Sequence, residues 1–314
     1  MTKKTLKAVT RTQGNNRALK AGEVTAKDFA FEFEEVDPLV KAFRLMVREG
    51  AYDVSEMALT TYICARAHGA TLTGLPVFLV RDFHHKSMAR SLAADIRQPK
   101  DLEGRRAGVN RGYTVTTGVW ARSILADEYG VDLKTVTWVR SGDEHVAEYR
   151  PPENVEDLAD EGSLEEQVAR GGLSAVIGLP ADGRTTAPLV DDPDQAALQA
   201  FRSRGLYPIN HLVVVRDDVL AEMPDVAVQV FEAFAESKRR YVDDLKAGRI
   251  SEPTRIDKVH MAVMDAMDDP LPYGIAPNIE MLDLLIRHAV DQKIIDKPFE
   301  IADLFAPAVR EMVG

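Results

Sequence analysis

The sequence predicts an α/β protein of two lobes, joined by two crossover strands and followed by a helical C-terminal segment. Three observations carry this expectation. Short apolar runs alternate with helical stretches through the first two-thirds of the chain, the order of an α/β architecture. The character of the sequence shifts near residue 90, where a second α/β series begins and runs to about residue 208. A strongly apolar strand, "INHLVVVRDD" from Ile209, then returns, and everything beyond it reads as helix. The first lobe is therefore expected from both ends of the chain, 1–89 plus 210–314, and the second from 90–209. Such an arrangement places a cleft between lobes, with helix N-termini directed into it.

The elements follow in order. Thr5 to Arg11 reads as a first strand, and "FAFEFEEV", Phe29 to Val36, alternates with period two as a second. Asp37-Pro38 opens a helix, with Asp as cap and Pro in the first turn, and Gly50 closes it. In "YDVSEMALTTY", Tyr52 to Val54 reads as a short strand, Ser55 as a helix cap and Glu56 as a first-turn carboxylate. "LPVFLVR", Leu75 to Arg81, is an apolar strand. Arg106 to Val109, Leu133 to Val139 and Leu173 to Ile177 read as strands of the second lobe. A long helix ends at Gly130, and Asp192 to Arg204 is another. The acidic, Pro-bearing stretch Ser141 to Glu165 reads as a surface connection. The last helices are expected over Pro224 to Gly248, Pro253 to Met267, Ala276 to Lys293 and Glu300 to Val313.

Composition bounds the function. The 314 residues are 45% hydrophobic and 28% charged, enough for a sizeable interior under an ordinary surface. A net charge of -11 argues against nucleic acid, which requires a basic face. One cysteine, Cys64, permits neither an internal disulfide nor a CxxC metal pair. The basic N-terminus lacks the apolar run of a signal peptide, and no segment approaches the ~20 apolar residues of a membrane span. The expectation is a cytoplasmic protein without a membrane partner. No P-loop, GxGxxG, HExxH or GxSxG string is present, so a nucleotide cofactor, a short-spaced zinc site and a serine-hydrolase elbow are not expected.

Several strings resemble one family. "YDVSEMALTTY", "LEGRRAGV", "TTGVWARSILADEYGV", "LYPINHLVVVRDDV" and "DDPLPYGIAPN" are similar to blocks of the 4,5-dihydroxyphthalate decarboxylases, scattered over nearly the whole chain. The resemblance implies a type 2 periplasmic-binding-protein-like fold and decarboxylation of a hydroxylated aromatic acid. The sequence departs from the family pattern at three places. Arg81-Asp82-Phe83-His84-His85-Lys86 stands where the family has Arg-x-Phe-Arg-His-Ser. The loop before Thr116 is basic and one residue longer, and Asn15-Asn16 precedes Arg17-Ala18-Leu19.

That chemistry names its residues. Direct loss of CO2 from an aromatic ring would leave an unstable aryl anion. A hydroxyl ortho or para to the carboxylate avoids this by pushing electrons into the ring, so that the carboxylate-bearing carbon takes a proton before CO2 leaves. No organic cofactor is required; the sites wanted are an anion clamp and proton carriers. Arg81, Arg111 and Arg17 are the candidate clamps. Ser55, Tyr113, Thr114, Thr116, Thr117 and Asn210 are candidate substrate contacts beside them, and Tyr273 reads as packing near the pocket. The alternatives are a salt bridge tying the lobes for Arg81 and a solvated loop charge for Arg17, and plain capping explains the threonines equally well. His211, a polar residue in an apolar strand, and His85, which matches the family, are the candidate proton carriers, with Glu56 receiving a phenolic proton or orienting a histidine. On a continuous strand His84 and His85 would point to opposite faces. Convergence of His84, His85, His211 and Glu56 on a divalent metal is the minority reading.

The expected partner is a small aromatic carboxylate, with homo-oligomerisation through the apolar C-terminal helices left open. Two alternatives share the fold: a solute-binding protein serving a transporter, and another lyase such as a chorismate-dehydrating enzyme. Fold alone does not choose among them.

Overall fold

A computed structural model of the chain describes every residue except Met1, Thr2, Asp160 and Glu161. The last two belong to the stretch expected as a surface connection and lie outside the described residues. The chain forms two compact units. The first holds Met1–Asp82, Ile209–Asp283 and Phe299–Gly314; the second holds Phe83–Pro208 and Leu284–Pro298.

The first unit opens with β1 (Lys4–Val9), α1 (Arg17–Lys20), β2 (Phe29–Glu34), α2 (Val40–Glu49), β3 (Val54–Ala58), α3 (Leu59–Ala67) and β4 (Leu72–Arg81). The chain continues in the second unit with β5 (Met88–Ser91), β6 (Arg106–Val109), α4 (Thr116–Tyr129), β7 (Thr137–Arg140), β8 (Val155–Asp157), α5 (Leu164–Ala169), β9 (Ala175–Ile177), β10 (Thr186–Pro188) and α6 (Pro193–Arg204). It returns through β11 (Ile209–Arg216) to α7 (Asp217–Glu222), α8 (Val226–Lys246), α9 (Arg255–Val263) and α10 (Ile279–Asp291).

The first unit's sheet has the order β2-β1-β3-β11-β4. β1 runs parallel to β2 and β3, while β11 is antiparallel to both of its neighbours, β3 and β4. Strands inside a sheet covered on both faces read as near-continuous apolar runs. β3 and β4 follow that rule, buried almost throughout. The second unit's sheet, β10-β5-β9-β6-β7-β8, packs α5 against its interior through Leu164 and Val168 beside Val139, Leu173 and Val176. Gly108 on β6 is needed there: a Cβ at this position would lie 2.8 Å from Leu164 Cδ2.

Several expected boundaries move. Ser55 and Glu56 do not start a helix; they lie within β3, and α3 begins only at Leu59. The reason is the ladder: residues 54–58 pair with β11 on one side, and 54–55 with β1 on the other, which holds them extended past the capping-type serine. α2 starts at Val40, two residues after Pro38, with no side-chain cap, and ends as expected at Gly50 in the left-handed region. β4 stops at Arg81, and His85 lies in a 3-10 turn (His85–Ser87), so strand alternation does not govern His84 and His85; both are buried. Glu300 to Val313 is not a helix but two 3-10 turns, Ile301–Leu304 and Pro307–Val309. Between them Phe305 bridges Gly74 of β4, and Pro307 has no N–H to continue a helix. Residues 284–298, expected in the first lobe, group with the second unit, where Gln292 bonds Arg122 and Ser123 and His288 bonds Asp127.

Candidate active site

β3 and β11 bring two of the sequence candidates together. His211 pairs with Ala58 and Val213 with Glu56, so Glu56 and His211 are diagonal neighbours across the ladder, within side-chain reach. The Glu56 Oε1 to His211 Nδ1 distance is 2.6 Å. The ladder between β11 and β4 shifts register on both sides of His211, with Asn210 in the first irregularity. Such bulges re-aim side chains. Glu56 is fully buried, whereas the His211 side chain is 19% exposed. The other Glu56 oxygen, Oε2, accepts the backbone N–H of Arg11 at 3.0 Å, and the Phe43 ring meets the imidazole edge-on at 5.2 Å. With Nδ1–H given to Glu56, the Nε2 of His211 is the ring position left for acid–base work. That Nδ1 contact places Glu56 where it can orient the imidazole, one of the two roles the sequence left open for it.

The loop after β1 is locked around this pair. Asn16 donates to the Arg11 carbonyl at 2.8 Å and accepts the Gln13 N–H at 2.7 Å; Asn15 donates to Leu79 O on β4 at 2.8 Å. The Asn15-Asn16 pair that departs from the family pattern thus sets the turn that presents the Arg11 N–H to Glu56. Ser55 turns its hydroxyl inward, donating to the Glu56 carbonyl at 2.7 Å. Arg81 is buried and donates to Asn278, which in turn donates to the carbonyls of Pro272 and Gly274. That chain ties Arg81 to the segment bearing Tyr273. The Tyr273 hydroxyl is fully buried without a hydrogen-bond partner. Burial first, then the Asp269 and Glu56 charges, push it well above the usual tyrosine range. Arg17 is exposed on α1.

The second unit holds the remaining candidates. His85 Nε2 lies 3.0 Å and 3.2 Å from the two oxygens of Glu128, which also accepts from Arg204 at 2.5 Å. Its Nδ1 is buried without a partner. Arg111 is exposed and adopts φ 71, left-handed for a non-glycine residue, with its N–H held by Ser141 Oγ at 2.9 Å. The amides ahead of α4, at the candidate contacts Tyr113 and Thr114, are engaged by the chain's own Glu144. Tyr113 N–H donates to its Oε1 at 2.6 Å, and Thr114 donates to Oε2 through N–H at 3.1 Å and hydroxyl at 2.6 Å. A Cβ on Gly112 would lie 2.5 Å from the same oxygen. Thr116 is buried at the start of α4, and Thr117 is half-buried beside it.

Two groups escaped the sequence reading. Glu144 was invisible because no local spacing announces a carboxylate folding back thirty residues in sequence. His260 stands on α9, where Tyr241 Oη lies 2.8 Å from its Nδ1 and 2.5 Å from Asp257 Oδ1. The Thr254-x-x-Asp257 capping box was readable; its connection to Tyr241 and His260 was not. Burial holds His260 down at about 4, against the opposing charges of Asp257, Asp82 and Asp269, with Arg81 adding to the depression. Between pH 6.5 and 4 the unfolded chain therefore binds a proton that the folded chain refuses. Stability should fall with pH through that window, by about 3 kcal/mol when complete. Denaturant unfolding at pH 7 and 4.5 checks this: the wild-type loss should exceed that of His260→Gln, and equal losses would contradict it.

Among the described residues, no three His, Cys, Asp or Glu side chains gather as a metal cage, and no helix is long and apolar enough to cross a membrane.

No family model matches the chain. Curated relatives do. The chain is 29% identical over 318 residues to a 4,5-dihydroxyphthalate decarboxylase of Comamonas testosteroni, covering 94% of each chain. It is 32% identical over 201 residues to a 4,5-dihydroxyphthalate decarboxylase of Pseudomonas putida, covering 60% of this chain and 77% of that one. Solved structures share the fold at low identity. The alkanesulfonate-binding protein SsuA of Xanthomonas axonopodis pv. citri matches with a TM-score of 0.52 at 13% identity, covering 98% of this chain and 99% of that one. The desulfurization enzyme DSZB matches with a TM-score of 0.55 at 13% identity, covering 97% of each. These neighbours establish the periplasmic-binding-protein fold, and they include a binding protein and an enzyme, so the choice between those classes rests on the curated relatives. The chain belongs to the 4,5-dihydroxyphthalate decarboxylase family and is an enzyme, a carboxy-lyase.

Proposed function

We propose that this enzyme converts 4,5-dihydroxyphthalate to protocatechuate and CO2, with the Glu56–His211 pair delivering the ring proton and no organic cofactor taking part. The observation that carries the reading is the 2.6 Å contact between a fully buried carboxylate and a partly exposed imidazole on adjacent strands, in a chain of this family. In this substrate each carboxylate has a ring hydroxyl para to it. As the hydroxyl shares its proton and feeds electrons into the ring, the carbon bearing the carboxylate takes the proton of His211 Nε2. The C–C electrons then return to the ring as CO2 departs, restoring aromaticity. His211 regains a proton from solvent, so one proton is consumed per turnover. Arg81, Arg111 and Arg17 are the proposed carboxylate ligands, and His85, whose Nε2 is bridged to Glu128, is the second proton carrier.

Purified protein incubated with 4,5-dihydroxyphthalate should release CO2 and protocatechuate in equal amounts. Absence of product across hydroxylated phthalates and benzoates would overturn the reading. Tight binding of such an acid without product would instead favour the solute-binding alternative.

A further inference from the structure

The Asp257–Tyr241–His260 chain fixes the chemical state of its end. Burial pushes the Asp257 carboxyl up, but hydrogen bonds from Tyr241 and Thr254 outweigh it and hold the group below its usual range, so it is ionised and only accepts. Thr254 N–H and hydroxyl fill Oδ2, at 2.8 and 2.7 Å. The Tyr241 proton therefore points to Oδ1, and the Tyr241 oxygen receives Nδ1–H of His260. Neutral His260 then carries a lone pair on Nε2. That atom is buried, in a residue only 3% exposed, and has no hydrogen-bond partner.

A second orphan lies on the same loop network. Asn15 Nδ2 is fixed as the donor by its bond to Leu79 O, which leaves Oδ1 as a buried acceptor without a partner. The 3-10 turn Gly14–Asn16 is pressed against Tyr241: a Cβ on Gly14 would fall 2.2 Å from the tyrosine ring. Asn15 is bonded to β4 two residues before Arg81, and Arg81 and Asp82 are among the charges that act on His260. Both orphans are acceptors. A buried acceptor left unmade forfeits about 1–3 kcal/mol, so its natural complement is a ligand donor. Carboxylates carry no donor; the two ring hydroxyls of a catechol do.

We propose that His260 Nε2 accepts a hydrogen bond from a ring hydroxyl of the aromatic acid, making His260 a specificity-determining residue, with Tyr241 and Asp257 as its positioning residues. This inference rests on the functional reading above, since it assigns the hydroxyl of the same substrate. A site built to bond a hydroxyl rejects the analogue lacking it far more strongly than an apolar pocket would.

The test compares 4,5-dihydroxyphthalate with phthalate, the same dicarboxylate without hydroxyls, by calorimetric titration. The wild-type enzyme should prefer the hydroxylated acid by about 100-fold or more. His260→Phe should bring that preference below about 10-fold while phthalate affinity is kept, and Tyr241→Phe, which keeps its ring against Gly14, should reduce it partway. A merely structural role would weaken both acids alike and leave the ratio unmoved. If His260→Phe does not fold, Tyr241→Phe carries the test. A wild-type preference retained in the variants, with turnover intact in the wild type, overturns this inference alone. Binding of neither acid by the wild type overturns it together with the functional reading.

Discussion

His211→Asn is expected to lower the decarboxylation rate by about 10²–10⁴-fold, the usual worth of a positioned general acid, while the thermal unfolding midpoint stays close to wild type. Asparagine retains a hydrogen-bonding group toward Glu56 but has no titrating nitrogen to hand a proton to carbon. The His211 side chain is partly exposed, so its loss opens no sealed cavity. Glu56 is different: it is fully buried and holds both His211 Nδ1 and the Arg11 N–H. A substitution there disturbs the loop as well as the imidazole, which makes His211 the cleaner probe. Rates measured by CO2 release at saturating acid would show the loss in kcat rather than KM, because the proton is delivered only in the transition state. An unchanged rate in a folded variant would remove His211 from the chemistry.

Glu144→Ala is expected to destabilise the second unit by about 3–5 kcal/mol. The substitution removes the carboxylate that accepts from the buried Tyr113 and Thr114 N–H groups and the Thr114 hydroxyl, and takes from Arg140 one of its two carboxylate partners, at 3.1 Å from Oε1, leaving it Asp157 at 2.6 Å. The loss is that of several buried hydrogen bonds rather than of one salt bridge. Glu144→Gln, which keeps an acceptor oxygen, should lose less. Chemical denaturation of the three proteins measures the order. A change in Glu144→Ala within about 0.5 kcal/mol, typical of an unconstrained surface position, would show that the loop does not depend on this carboxylate.

The sequence carried the architecture well where the pattern was periodic or punctuated. Arg106–Val109 was expected at its observed ends, and α6 with its Asp192 cap and Pro193 was expected almost to the residue. Gly50 and Gly130 marked helix ends that the backbone confirms as left-handed. Local signals failed where tertiary pairing decided the outcome. Ser55 and Glu56 look like a cap and a first-turn acid, yet the ladders on both sides of β3 extend them. The short edge strands β8 and β10, three residues each, carry too little periodicity to announce themselves. The same division holds for the site. His211 stood out as a polar residue in an apolar strand, and Glu56 as a first-turn acid of a helix that does not form there. Their contact depends on the register of β11 against β3, which no single-sequence pattern supplies. Tyr113 and Thr114 before α4 were candidate contacts for a substrate carboxylate, and the loop does hold a carboxylate, but the internal one of Glu144. His260 gave no signal because its significance lies in a tyrosine nineteen residues earlier on another helix.

A double-mutant cycle on kcat, using wild type, Glu56→Gln, His211→Asn and the double variant, tests most directly whether the two side chains act as one acid. If Glu56 works through His211, the double variant should decarboxylate at the rate of His211→Asn alone, to within about threefold. Two losses that multiply would show independent roles and contradict the proposed pair.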